Sequence, residues 1–132
     1  MSYELIDHTG DIGIVARADS LEALFAECAR AMFEILAEPA EPKPSGTDTF
    51  PVPGRESAEE LRDFLSELLY RFSAEHRIYV RWIPAPGSVG AAWEPYDPAQ
   101  RPLRTELKAV TYHQLEVGRE GDGWRAQVIF DV

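Results

Sequence analysis

The sequence predicts an α+β domain: a two-layer sandwich whose mixed or antiparallel sheet carries two helices packed on one face. Three observations predict it. Two stretches place apolar residues at helical spacing behind residues that can cap a helix, Asp19 or Ser20 in one and Ser57 in the other. The remaining structured stretches are short, alternate in polarity and are bounded by Gly, Pro and Asp. The order reads β-β-α-β-α followed by strands, the arrangement of one sheet covered by helices rather than of alternating βαβ units.

Residues 3–6 and 12–18 read as extended. In "IGIVARA" Ile12, Ile14 and Ala16 share one face, with Gly13, Val15 and Arg17 on the other. "ADSLEALFAECARAMFEILAEP" reads as the first helix. Asp19 or Ser20 can cap it, Asp19 and Glu22 have capping-box spacing, and Pro39 stops it. Its apolar stripe runs through Leu21, Leu24, Phe25, Cys28, Met32, Ile35 and Leu36, so Cys28 reads as a core thiol. "AEPAEPKPSG", 37–46, is a connector, and the prolines of "TDTFPVPG" predict an edge strand. The second helix opens on Ser57 and Glu60 and buries Leu61, Phe64, Leu65, Leu68, Leu69 and Phe72. "IYVRWI" and "VGAAWEPY" read as strands joined by "PAPGS", and "TELKAVTYHQLEVGREGDGWRAQVIFDV" as two long strands around "REGDG". No internal repeat or boundary interrupts the chain, so 1–132 reads as a single domain.

A chain of 132 residues, 45% hydrophobic and 27% charged, can bury a core without staples. No apolar run approaches the ~18 residues of a membrane span, and "MSYELIDHTGD" is no signal peptide. The one cysteine fits a reducing compartment, so the expectation is a soluble, cytoplasmic protein without a membrane partner. With 23 acidic and 13 basic residues the net charge is −10, which on average repels nucleic acid. The residues for a local basic patch lie in the second half: Arg77, Arg81, Arg101, Arg104, Lys108 and Arg125. A protein partner or metal ions suit the acidity better.

"DHTGD" collects Asp7, His8, Thr9 and Asp11 before the first good strand. Asp131 is penultimate, faces away from Phe130 by alternation, and is followed by Val132 with an α-carboxylate. If the last strand lies beside the first, Asp11, Asp131 and Val132 supply oxygens for one hard cation. The competing reading makes Asp11 a turn residue and leaves Asp131 solvated; a third pairs Asp7 with Asp11 as acid and base. His8, His76 and His113 lack zinc spacing, and neither a G-x-S-x-G elbow nor a phosphate loop occurs. Taken as a strand, "TELKAVTYHQ" points Glu106, Lys108, Val110 and Tyr112 one way and Leu107, Ala109, Thr111 and His113 the other.

Five elements in order resemble the archease family from end to end. They are His8-Thr9-Gly10-Asp11 with "IGI", "SLEALFAECARAMF", "LSELLY" around Ser66 to Tyr70, "ELKAVTYH" from Glu106 to His113, and the closing "QVIFDV". The resemblance implies a small α+β sandwich and a non-enzymatic activator of an RtcB-type RNA-splicing ligase, promoting its guanylylation and multiple turnover. tRNA or other RNA would then be contacted only through the ligase. The family's metal ligands carry over to Asp11, Asp131 and, through main-chain oxygen, Val132, for a divalent ion such as Ca²⁺, Mg²⁺ or Mn²⁺. His8, Thr9, Glu106, Lys108, Tyr112 and His113 become candidates for contacting the partner or shaping the site, and Asp7 becomes incidental. The alternative is a chaperone-like or structural interaction domain whose metal only ties down the C-terminus. "WEPYDPAQR" departs from the family's "GE-x-x-D-x-x-R-H" at Trp93 and Gln100-Arg101, and Gly10 replaces a common Ala, which should only loosen the loop.

Overall fold

A computed structural model describes residues 1–8 and 10–132, the side chains of Asp7 and His8 excepted. The expectations for Thr9 and for those two side chains lie outside the described residues. The elements are β1 (Ser2–His8), β2 (Asp11–Ala18), α1 (Leu21–Leu36), β3 (Gly46–Pro51), α2 (Ala58–Glu75), β4 (Arg77–Ala85), β5 (Ser88–Pro95), β6 (Ala109–Val110), β7 (Glu116–Glu120) and β8 (Gly123–Asp131).

The α+β class is as expected, and every paired strand described is antiparallel. The strands divide between two sheets, however, rather than forming one. The larger has the order β1-β2-β8-β6 with β7 also on β8, and the smaller is β3-β5-β4. The reason lies in α1. Its side chains are buried nearly all round, because it packs on β2 and β8 of one sheet and on β4 and β5 of the other. A helix apolar on both sides needs two apolar surfaces, and one sheet offers it only one. Ile14, Ala16, Val128 and Phe130 cover one side; Phe33, Tyr79 and Trp82 cluster on the other.

Local signals place the ends of these elements. Ser20, not Asp19, caps α1, its Oγ accepting from the Ala23 N–H at 3.0 Å. Ser57 caps α2 through the Glu60 N–H at 3.2 Å, and α2 ends on His76 in the left-handed region at φ 56. The proline-bearing β3 sits at a sheet edge, as its prolines require. Cys28 is fully buried, and burial pushes its thiol up, so it is a core residue and no nucleophile.

Where β8 begins, a Cβ on Gly123 would stand 2.7 Å from the Ala18 carbonyl oxygen, a backbone atom that cannot swing aside. Gly123→Ala is therefore expected to destabilise the fold by about 1–3 kcal/mol. Urea denaturation checks this, and an unchanged midpoint would refute it.

Candidate metal centre

β1 and β2 form a tight hairpin in which His8 and Asp11 are register partners. Gly10 in the turn has φ 75, and nothing lies within 4 Å of where its Cβ would be. Glycine thus suits the backbone here rather than merely loosening it. The hairpin delivers Asp11 to the first position of β2, half-buried and already engaged in an interaction within the chain.

Antiparallel pairing of β2 with β8 sets Asp11 directly opposite Asp131, and β6 sets Ala109 opposite Asp131 on the other side. One row therefore crosses four strands at this end of the sheet: His8, Asp11, Asp131, Ala109. Asp11 and Asp131, as direct partners, share a face, with Cβ atoms about 4.5–5.5 Å apart. The face is the one away from the helices, since Ile12 and Phe130, the next pair along, turn into the core. Like charges directly opposite one another repel, so this pairing asks for a cation or separation. Val132 follows at the strand's end, half-buried against the core. The Asp131 carbonyl accepts from the Lys108 N–H at 2.8 Å, which holds the last residues of β8 in place.

The donor set fits a hard divalent cation: two carboxylates in register and main-chain oxygen one residue away, with no thiol or imidazole required. Among the described residues no three His, Cys, Asp or Glu side chains converge as a metal cluster. Here the third ligand would come from the main chain of Val132.

The stretch from Glu106 to His113 departs from the continuous strand expected. Only Ala109–Val110 enters the sheet. Leu107 and Val110 are both buried, three residues apart, a spacing that a period-two strand cannot satisfy. The chain instead turns after Val110, where Thr111 donates to the Ile129 carbonyl through both N–H and hydroxyl at 3.0 Å. Glu106 and Lys108 are exposed without pairing to each other. Tyr112 is exposed, with the Arg62 guanidinium 4.2 Å from its ring centre, and His113 is exposed with its N–H on Thr111 Oγ1 at 3.2 Å. The row thus sets Asp11 opposite Asp131 with Lys108 beside it, while Tyr112 and His113 lie in the loop beyond β6.

Four of the six residues that could have made a local basic patch are engaged within the chain, while Arg81 and Lys108 are exposed. Arg77 approaches Asp48 and lies over Trp93, Arg104 donates to the Glu34 carbonyl, and Arg125 pairs with Glu116. Arg101 is buried against Glu94 at 3.1 Å, so the variant loop 93–101 folds inward onto its own ion pair. Sequence reading missed that pair, although opposite charges flanking a Pro-Tyr-Asp-Pro turn were visible. It also missed Arg62, which reaches from α2 to the Val110 carbonyl at 3.1 Å across 48 positions, a contact with no sequence signal.

The Archease protein family (MTH1598/TM1083) matches residues 3–132. Protein archease of Methanosarcina acetivorans is 37% identical over 98% of this chain and 95% of its own length. Protein archease of Pyrococcus furiosus is 32% identical over 98% of each. In fold, the chain is similar to the solution structure of Methanobacterium thermoautotrophicum protein 1598 (TM-score 0.73, 24% identity, 98% of both chains). It is also similar to the crystal structure of an archease from Thermotoga maritima, described as a possible chaperone (TM-score 0.70, 23% identity, 96% and 94%).

Proposed function

The chain belongs to the archease family, and on that premise we propose that it is a non-enzymatic protein cofactor activating an RtcB-type RNA-splicing ligase in the cytoplasm. It promotes guanylylation of the ligase and its multiple turnover in tRNA splicing and RNA repair. Asp11, Asp131 and main-chain oxygen of Val132 hold a divalent cation, Ca²⁺, Mg²⁺ or Mn²⁺, at the surface that meets the ligase. The cation supplies positive charge that two opposed carboxylates cannot. Asp11 and Asp131 orient it through their shared row, and Lys108 fixes the Asp131 backbone from the neighbouring strand. The observation that supports this most is the register itself, which brings residues 120 positions apart in the chain face to face.

Ligase guanylylation measured with and without the protein tests the reading, and equal rates would refute it. Equal rates would favour instead an interaction domain whose cation only ties down β8, in keeping with the chaperone description of the Thermotoga neighbour.

RNA is reached only through the ligase. The net charge is −10, and Arg77, Arg101, Arg104 and Arg125 are tied to carboxylates, carbonyls or rings. Filter binding of tRNA to the protein alone is expected to stay weaker than about 1 μM at moderate salt. Tight binding that falls steeply with salt would contradict this.

A further inference from the structure

A groove of about 280 Å³ runs between α2 and the residues entering β6. Its walls come from two stretches about forty positions apart. Arg62, Ser66, Leu69, Tyr70 and Ser73 stand on α2, and Lys108 leads the opposite side, with Ala109 and Val110 behind it. These are the "LSELLY" and "ELKAVTYH" elements, and no role described so far uses them together.

Charge distinguishes this groove from four other clefts of the protein. Those lined by Arg30 and Glu34, by Arg104 and Glu34, by Arg17 and Glu120, and by Arg30 and Glu27 each hold carboxylates beside their cations. Among the described residues, this groove is lined by two cations and no acid. Arg62 spans the groove, its Nε donating to the Val110 carbonyl at 3.1 Å, with Asp63 3.6 Å away and Tyr112 under its guanidinium. Lys108 is exposed. On the same wall the Ser66 Oγ is buried and lacks a hydrogen-bond partner, where other buried side-chain polar atoms of the described residues are satisfied. Tyr70 in its wall and Tyr112 under Arg62 are 60% and 63% exposed, and Tyr and Arg are the residue types that anchor protein interfaces.

We propose that this groove docks a single carboxylate side chain of a partner protein, which lies between Lys108 and Arg62 and is reached by the Ser66 hydroxyl after rotation about its χ1. Under the ligase-activator reading, on which this rests, the partner is the ligase. A single carboxylate fits the charge better than a nucleic-acid backbone does. The surface around the groove carries Asp63, Glu67 and Glu106, which would repel a phosphate chain at each step but leave one side chain undisturbed. Lys108 also donates its N–H to the Asp131 carbonyl, so the groove adjoins the cation row, and a partner seated in it lies beside Asp131.

The test is calorimetric titration of the full chain into the purified RtcB-type ligase at fixed cation concentration. Lys108→Glu and Tyr70→Ala are each expected to raise the Kd by about tenfold or more, without lowering the melting temperature. Tyr70→Ala should also keep the cation-dependent melting rise, which separates groove from cation row. Should Lys108→Glu fold poorly, Lys108→Ala with Tyr70→Ala decides by the same criterion. Wild type and variants binding alike would overturn the groove while leaving the activator reading intact. A wild-type chain that does not bind the ligase overturns both. Variants that lose tRNA binding instead, in the absence of ligase, would overturn the proposal in favour of an RNA surface.

Discussion

Asp11→Ala, folded and at saturating Mg²⁺ or Mn²⁺, is expected to lose most of the ligase stimulation that the wild-type chain provides. The argument begins with the register, because Asp11 and Asp131 are direct cross-strand partners on one face. Two carboxylates so placed repel, and a hard cation between them turns repulsion into attraction from both sides. Removing either leaves too few charged oxygens to hold the ion, so Asp131→Ala should behave alike. Melting separates loss of the ion from loss of the fold. An ion that binds only the folded chain stabilises it by about 2.7 kcal/mol at a hundred times its Kd, a rise on the order of 10 °C for a domain of this size. Wild type should show that rise as cation is added, and neither variant should. Without cation the variants should melt close to wild type, the relieved repulsion offsetting the contact that Asp11 itself makes within the chain. Equal stimulation by wild type and folded Asp11→Ala in a guanylylation assay would refute the site.

Glu94→Ala is expected to be among the most destabilising single substitutions in the protein. Glu94 and Arg101 are only 8% and 6% exposed, and Arg101 Nε donates to Glu94 Oε1 at 3.1 Å. The second carboxylate oxygen accepts the Lys43 N–H at 2.7 Å, and Arg101 also donates to the Ala40 carbonyl at 3.1 Å. The pair therefore straps the proline-rich connector onto the loop after β5. Deleting Glu94 leaves a buried guanidinium without its counter-charge and a backbone N–H without an acceptor. Breaking such a pair costs about 3–5 kcal/mol, against a total stability of roughly 5–15 kcal/mol. The double replacement Glu94→Leu with Arg101→Met should lose far less, because no uncompensated charge remains. Urea denaturation of Glu94→Leu, Arg101→Met and the double provides the coupling directly. A loss below about 1 kcal/mol for Glu94→Ala would show that the pair is solvated and the strap incidental.

Reading the chain placed both helices and most strands, since their signals are local. Ser57 with Glu60 and the apolar stripe of α2 specify one helix whatever surrounds it. The alternation from Ala126 to Phe130 specifies a strand in the same way. The segment 106–113 was misread as one strand because alternation alone cannot reveal that Leu107 and Val110 are both drawn inward. The helical spacing of α1 likewise indicated a helix without showing that two different sheets would cover it.

The candidate site divides along the same line. Asp11 after a glycine turn and Asp131 at the end of a strand were legible as oxygen donors, and the five ordered elements indicated the family. Sequence by itself determined the residue types, the cap of α2 and the excess of acid. Only the tertiary structure decided that Asp11 meets Asp131, that Glu94 meets Arg101, and that Lys108 faces Ser66 across a groove. The physical reason is range. Caps and periodicities act over a few residues, whereas strand register and buried charge pairing join distant positions and follow from packing the whole core at once.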